Sequence, residues 1–141
     1  MSDRKTAHVS WKGSQLHFTG TLGSGYEFDL SGQASAENGG SPMEFLLAGV
    51  AGCTAIDVVH VLRKMRQDIA HVDVEISAVR AETDPKVYTE ADLVYVVRGK
   101  DVDPHAVERA IALSQETYCS ASIMFKRAGT VVNTTYRIEE V

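Results

Sequence analysis

Apolar and polar residues alternate through the first thirty positions of the chain, the two-residue period of a half-buried sheet. Val9 and Trp11, then Leu16 and Phe18, then Tyr26, Phe28 and Leu30 hold the apolar places. "WKGSQ" and "TLGSG" supply the turns, so three short strands are expected. A polar, glycine-rich link follows, "GQASAENGGS" at 32–41, and reads as a mobile loop.

The period then changes. Ser41 is a natural N-cap, Pro42 fits the first helical position, and Glu44 closes a capping box. Only Gly49 and Gly52 interrupt the helical pattern before about Gln67, which predicts one long helix. Its first half is apolar all round, the pattern of a helix buried on every side. Gly49, Ala51 and Gly52 would let another backbone approach closely.

Beyond it, Val72, Val74, Ile76 and Ala78 alternate with Asp73, Glu75 and Ser77. A turn at "TDPK" leads to a partner strand with Ala91, Leu93, Tyr95 and Val97. Asp103-Pro104 opens a second helix through about Tyr118, with Val107, Ile111 and Ser114 on one face. "SASIMFKRAG" predicts one further short helix ending at Gly129, and a last strand covers 131–139. This order defines an α+β class with mostly antiparallel sheets, in a single domain spanning 1–141. So few elements cover an all-apolar helix poorly, and a second copy of the chain is expected to help.

Composition narrows the partners. The 141 residues are 44% hydrophobic and 23% charged, with a formal net charge of −5. No basic cluster exceeds "RKMR" at 63–66, so nucleic acid and anionic membrane surfaces are not expected as partners. The N-terminus is polar and unlike a secretory signal. The longest unbroken apolar stretch, Phe45 to Cys53, falls short of the roughly 20 residues of a membrane span. A cytoplasmic location is expected, where two cysteines seldom serve as a structural staple.

Candidate chemistry centres on Cys53. At about 100° per residue, Asp57, His60 and Lys64 fall on the same side of the helix. A cysteine on a buried helix is ordinarily a small hydrophobe, and a lone helical histidine is ordinarily hydrogen-bonded or half exposed. Asp57 opposes thiolate formation beside it, so a reactive Cys53 needs a cation. His60, Lys64 and the Lys126-Arg127 pair near Cys119 are the candidates. Packing and chemistry both stand at this point. There is no C-x-x-C or H-x-x-H spacing, and the five histidines are scattered, so no metal is expected. Nucleotide-binding and hydrolase motifs are also missing from the sequence.

"SPMEFLLAGVAGCTA", followed some 66 residues later by "YCSASIMFKRAGTV", resembles the OsmC/Ohr family of osmotically induced and organic-hydroperoxide-resistance proteins. The resemblance covers essentially the whole chain and is greatest to the general OsmC-like branch. It implies an intertwined homodimer with both central helices between the subunits. It also implies a thiol peroxidase that reduces organic hydroperoxides. Cys53 would be the peroxidatic thiolate, oxidised to a sulfenic acid, and Cys119 the resolving thiol that closes a Cys53–Cys119 disulfide. An external dithiol reductant would restore both, with no bound cofactor.

Two positions depart from that family's peroxidases. Their glutamate directly follows the helix-opening proline, where Met43 stands here. Glu44, one residue later, joins Cys53 and Cys119 as the third candidate catalytic residue. Their thiolate-holding arginine comes from the N-terminal sheet. Between Lys5 and Arg63 this chain has no arginine and, histidines apart, only Lys12 is basic. A second reading therefore stands beside the first: a non-enzymatic OsmC-like dimer that binds a small apolar ligand or senses redox state through its thiols.

Overall fold

The computed structural model describes residues 3–141. Their contacts gather into two compact units, one running to Leu46 and the other Leu47–Val141, and the division falls inside a helix.

The first unit holds three antiparallel strands in chain order, β1 (Ala7–Trp11), β2 (His17–Leu22) and β3 (Glu27–Ser31). Gly20 faces Phe28 across the β2–β3 ladder, and a side chain there would collide with the phenyl ring. That ring continues onto Phe45, with centroids 4.8 Å apart. The expected strands are present, with Leu16 and Tyr26 just outside them. The half-burial expected of β1 is not: all five residues are exposed.

The 32–41 link differs from the free loop expected. Ser35 and Gly39 exchange backbone hydrogen bonds, Ser31 N–H donates to the Gly40 carbonyl, and Asn38 Nδ2 donates to the Gln33 carbonyl. Gly39, at φ 105°, lies so close to the Asp29 backbone that any Cβ would overlap it. Composition alone reads such a stretch as slack; here glycine is what lets two backbones touch.

Helix α1 (Pro42–Lys64) starts where its capping signals lie. Ser41 N–H donates to Glu44 Oε1 at 2.9 Å, and Glu44 N–H donates to Ser41 Oγ at 3.2 Å. By length and composition this helix is apolar enough to cross a membrane, with a mean hydropathy of 2.0 over its most apolar window. It exceeds the Phe45–Cys53 run because hydrophobic residues resume after Asp57. The core helix of a soluble fold can show the same pattern.

In the second unit, β4 (Asp68–Arg80), β5 (Tyr88–Lys100) and β6 (Val131–Glu140) form a sheet with β5 in the middle. β4 pairs antiparallel with β5, and β6 pairs parallel to it. A parallel pair needs a long crossover, and helices α2 (Pro104–Leu113) and α3 (Ser120–Arg127) provide it. Asp103 caps α2 by accepting from His105 N–H, and Gly129, at φ 102°, follows α3.

The second helix does not run evenly to Tyr118. At Ser114 the chain widens into a π-helical turn, Ser114–Tyr118, whose extra residue per turn leaves Ser114 and Gln115 both buried. The core joins Leu93, Tyr95 and Val97 of β5 to Val58 and Leu62 of α1 and to Val107 of α2. Each such buried side chain contributes about 1.5–3 kcal/mol relative to exposure. From α1 this chain buries only Val50, Thr54, Val58 and Leu62, one line at four-residue spacing. Ile56 is 72% exposed. All-round burial is therefore not reached within one chain.

Candidate active site

Thr54 and Asp57 stand on α1, Tyr95 on β5, and Ser114 and Gln115 on the π turn, and one hydrogen-bond network joins them. Asp57, as a carboxylate, can only accept, so Ser114 Oγ donates its proton to Asp57 Oδ2 at 2.9 Å. Ser114 must then accept from Thr54 at 2.7 Å, and Thr54 in turn from the Tyr95 hydroxyl at 2.7 Å. Tyr95 has spent its proton, so the Gln115 amide presents Nε2 to it, at 3.0 Å, and to Ser122 Oγ at 3.2 Å. The carboxylate thus orients a chain of neutral groups, each polarising the next. Gln115 Oε1 is left buried, with no partner among the described residues.

The two cysteines lie at the ends of this network. Cys53 is half-buried on α1, one residue before Thr54, and Cys119 is fully buried where the π turn meets α3. Both are free thiols. Their sulfurs and an Asp57 carboxylate oxygen all lie within 4.8 Å of one another. Cys119 donates to Ser122 Oγ at 3.1 Å, and its sulfur accepts the Ser122 N–H at 3.4 Å, which caps α3. Burial pushes the Cys119 thiol above its ordinary range; the bond accepted from the Ser122 N–H counters this, and the Cys53 thiol adds to it. Burial likewise raises Tyr95, against the hydrogen bond it accepts from the Gln115 amide.

The polar stripe read along α1 leads into a cavity of about 650 Å³ lined by Asp57, His60, Lys64, Arg109, Leu113 and Tyr118, among others. His60, Lys64 and Arg109 make no ion pair among the described residues. Lys126 is engaged, donating to the Gln115 carbonyl at 2.9 Å. Lys12 pairs with Asp29 at 2.7 Å. Glu44 sits in the capping box with Ser41, whose hydrogen bonds hold its carboxyl below the usual range.

The sequence reading thus named three of the grouped residues, Cys53, Asp57 and Cys119. It missed Thr54, Tyr95, Gln115 and Ser122 as parts of one network. One signal was available: Ser114, a polar residue on the apolar face of a helix.

A thiol on a core helix facing a second thiol at the head of α3, backed by an antiparallel–parallel sheet and a π turn, defines a cysteine-bearing α+β class. The chain belongs to the OsmC-like protein family, whose sequence model matches residues 32–135. It is similar to Protein YhfA of Escherichia coli K12, with 39% identity over 135 residues, covering 96% of this chain and 97% of that protein. A hypothetical protein from Aquifex aeolicus VF5 superposes with a TM-score of 0.88 at 28% identity, covering 99% of each chain. The organic hydroperoxide resistance protein OhrB of Bacillus subtilis superposes with a TM-score of 0.64 at 20% identity, covering 96% of this chain and 98% of that one. That last likeness is one of fold.

Proposed function

We propose that this chain is a cysteine-based thiol peroxidase that reduces small organic hydroperoxides. One observation carries the reading: Cys53 and Cys119, 66 residues apart in sequence, have their sulfurs within 4.8 Å. A disulfide needs an S–S distance of about 2.05 Å, so the two side chains must move towards one another to form it. Half-buried Cys53 adjoins the cavity-lining Asp57 and is the attacking sulfur; fully buried Cys119 is the resolver.

The Cys53 thiolate attacks the distal peroxide oxygen, an S–O bond forms, and the O–O bond breaks. Sulfur loses two electrons, and the alkoxide leaves as the alcohol after taking a proton. Cys119 then attacks the sulfenic sulfur; an S–S bond forms, and the Cys119 proton departs with hydroxide as water. An external dithiol returns two electrons and restores both thiols. Sulfur carries the electrons throughout. Glu44 enters this reading as a fixed anion at the head of α1, because its capping bonds favour the charged form. It is not a proton donor at neutral pH.

The working unit in this reading is a cytoplasmic homodimer. Support comes from α1, of whose most apolar window 22% is buried, and from Ile56, Tyr118 and Met124, all exposed. The second reading, a redox sensor or a binder of small apolar ligands, is favoured by Met43 at the position after the helix-opening proline and by the lack of an arginine between Lys5 and Arg63. Cumene hydroperoxide consumption with excess dithiothreitol separates the two. Turnover supports the peroxidase, oxidation of the thiols to one disulfide per chain without turnover supports the sensor, and thiols that stay titratable refute both redox roles.

A further inference from the structure

Asp57 follows Cys53 by one helical turn, and Cys119 comes from the junction of the π turn and α3, so two sulfurs and a carboxylate oxygen meet within 4.8 Å. Motif spacing could not reveal this set, because its third member comes from a distant element. We propose that Cys53, Asp57 and Cys119 form a three-ligand site for a thiophilic divalent cation of the zinc type. The proposal does not depend on peroxidase activity.

Four features support it. Tetrahedral zinc with sulfur ligands at about 2.3 Å holds two sulfurs about 3.8 Å apart. The grouping needs to contract by no more than about 1 Å to reach that. Second, two of the three ligands are already held by outer hydrogen bonds of the kind that orient metal ligands. Ser114 holds Asp57 Oδ2 at 2.9 Å, and Asp57 Oδ1 has no hydrogen bond among the described residues. The Ser122 N–H points at Cys119 Sγ from 3.4 Å.

Third, the donor set itself is selective. Two sulfurs and one oxygen select a borderline-soft ion over magnesium or calcium, which require oxygen ligands. Fourth, Asp57 lines the 650 Å³ cavity, which leaves the fourth coordination position to water, as in zinc sites that keep one place open. Binding replaces two thiol protons with one metal ion and transfers no electrons. It therefore strengthens as pH rises and competes with disulfide formation.

Cadmium, titrated into the freshly reduced full-length protein without peroxide, is the probe. A sulfur-to-metal charge-transfer band saturating at one cadmium per chain is expected, with zinc displacing it. Asp57→Asn should weaken binding at least about tenfold. Cys119→Ser, which keeps a capping oxygen, should lower both band intensity and affinity, and serves as the test if Asp57→Asn does not fold. A silent titration overturns the proposal, as does unchanged affinity in either folded variant. Because no oxidant is present, the result stands apart from that of the hydroperoxide assay.

Discussion

Ser114 Oγ donates to Asp57 Oδ2 across 2.9 Å, tying the start of the π turn to the thiol-bearing face of α1. That bond sets the direction of every hydroxyl behind it, so the buried network is a polarised unit and not a set of separate pairs. Its energetic weight falls on Thr54, which bonds two partners at 2.7 Å each.

Thr54→Val removes the hydroxyl and keeps the shape, leaving the buried Tyr95 proton without its acceptor and Ser114 without its donor. Losing one partner of a buried polar group costs about 1–3 kcal/mol, so a loss of about 2–4 kcal/mol is expected. Tyr95→Phe should cost less, about 1–2 kcal/mol, because it removes the stranded group as well. Urea denaturation of the reduced protein measures both. Equal losses would mean that the network is not directional.

The thiols should differ in reactivity. At pH 7.5 iodoacetamide should reach half-buried Cys53 first and leave Cys119 largely unmodified until the fold opens. Under the peroxidase reading, Cys53→Ser abolishes hydroperoxide consumption. Cys119→Ser allows a single turnover and leaves a sulfenic acid on Cys53, detectable by dimedone labelling and mass spectrometry. Preferential labelling of Cys119 in the native protein would reverse the roles.

Alkali should weaken the fold. Cys119 and Tyr95 have folded values above their ordinary ones of 9.0 and 10.0, so the folded chain holds these protons to higher pH than the unfolded chain. Their contribution is fully present below about pH 9 and is lost as pH rises through the folded values. The urea midpoint should therefore fall above pH 9, and Cys119→Ser should flatten the first part of that decline. A midpoint that rises with alkali would contradict the buried, protonated thiol.

Assembly can be tested at Ile56, 72% exposed on a helix that the chain covers along one line. Ile56→Lys places a charge where a second copy would pack. Sedimentation at micromolar concentration should show a dimer for the parent chain and mostly monomer for the variant. A parent chain that sediments as a stable monomer would exclude the proposed homodimer.

Much of the secondary structure was legible locally. Alternation marked the strands, and the Ser41–Glu44 reciprocal bonds marked the start of α1, because a capping box lies within four consecutive residues. The π turn was not legible, since one extra residue in a helical turn leaves no trace in composition. The order in residues 32–41 was hidden for a related reason: Gly39 matters only because Asp29 comes close to it.

By itself the sequence determined the order of the elements and the type of all but the π turn, the cap of α1, and the placement of Cys53, Asp57, His60 and Lys64 along one side of a helix. These follow from the fixed periods of helix and strand. Tertiary structure decided which line of α1 is buried, and it brought Cys119 to Cys53 and Asp57. It also converted Thr54, Tyr95, Ser114, Gln115 and Ser122 from scattered polar residues into one oriented network. The physical reason is that a hydrogen bond or a sulfur–sulfur approach depends on distance in space, and these partners are separated by up to 66 residues of chain that only the packed core brings together.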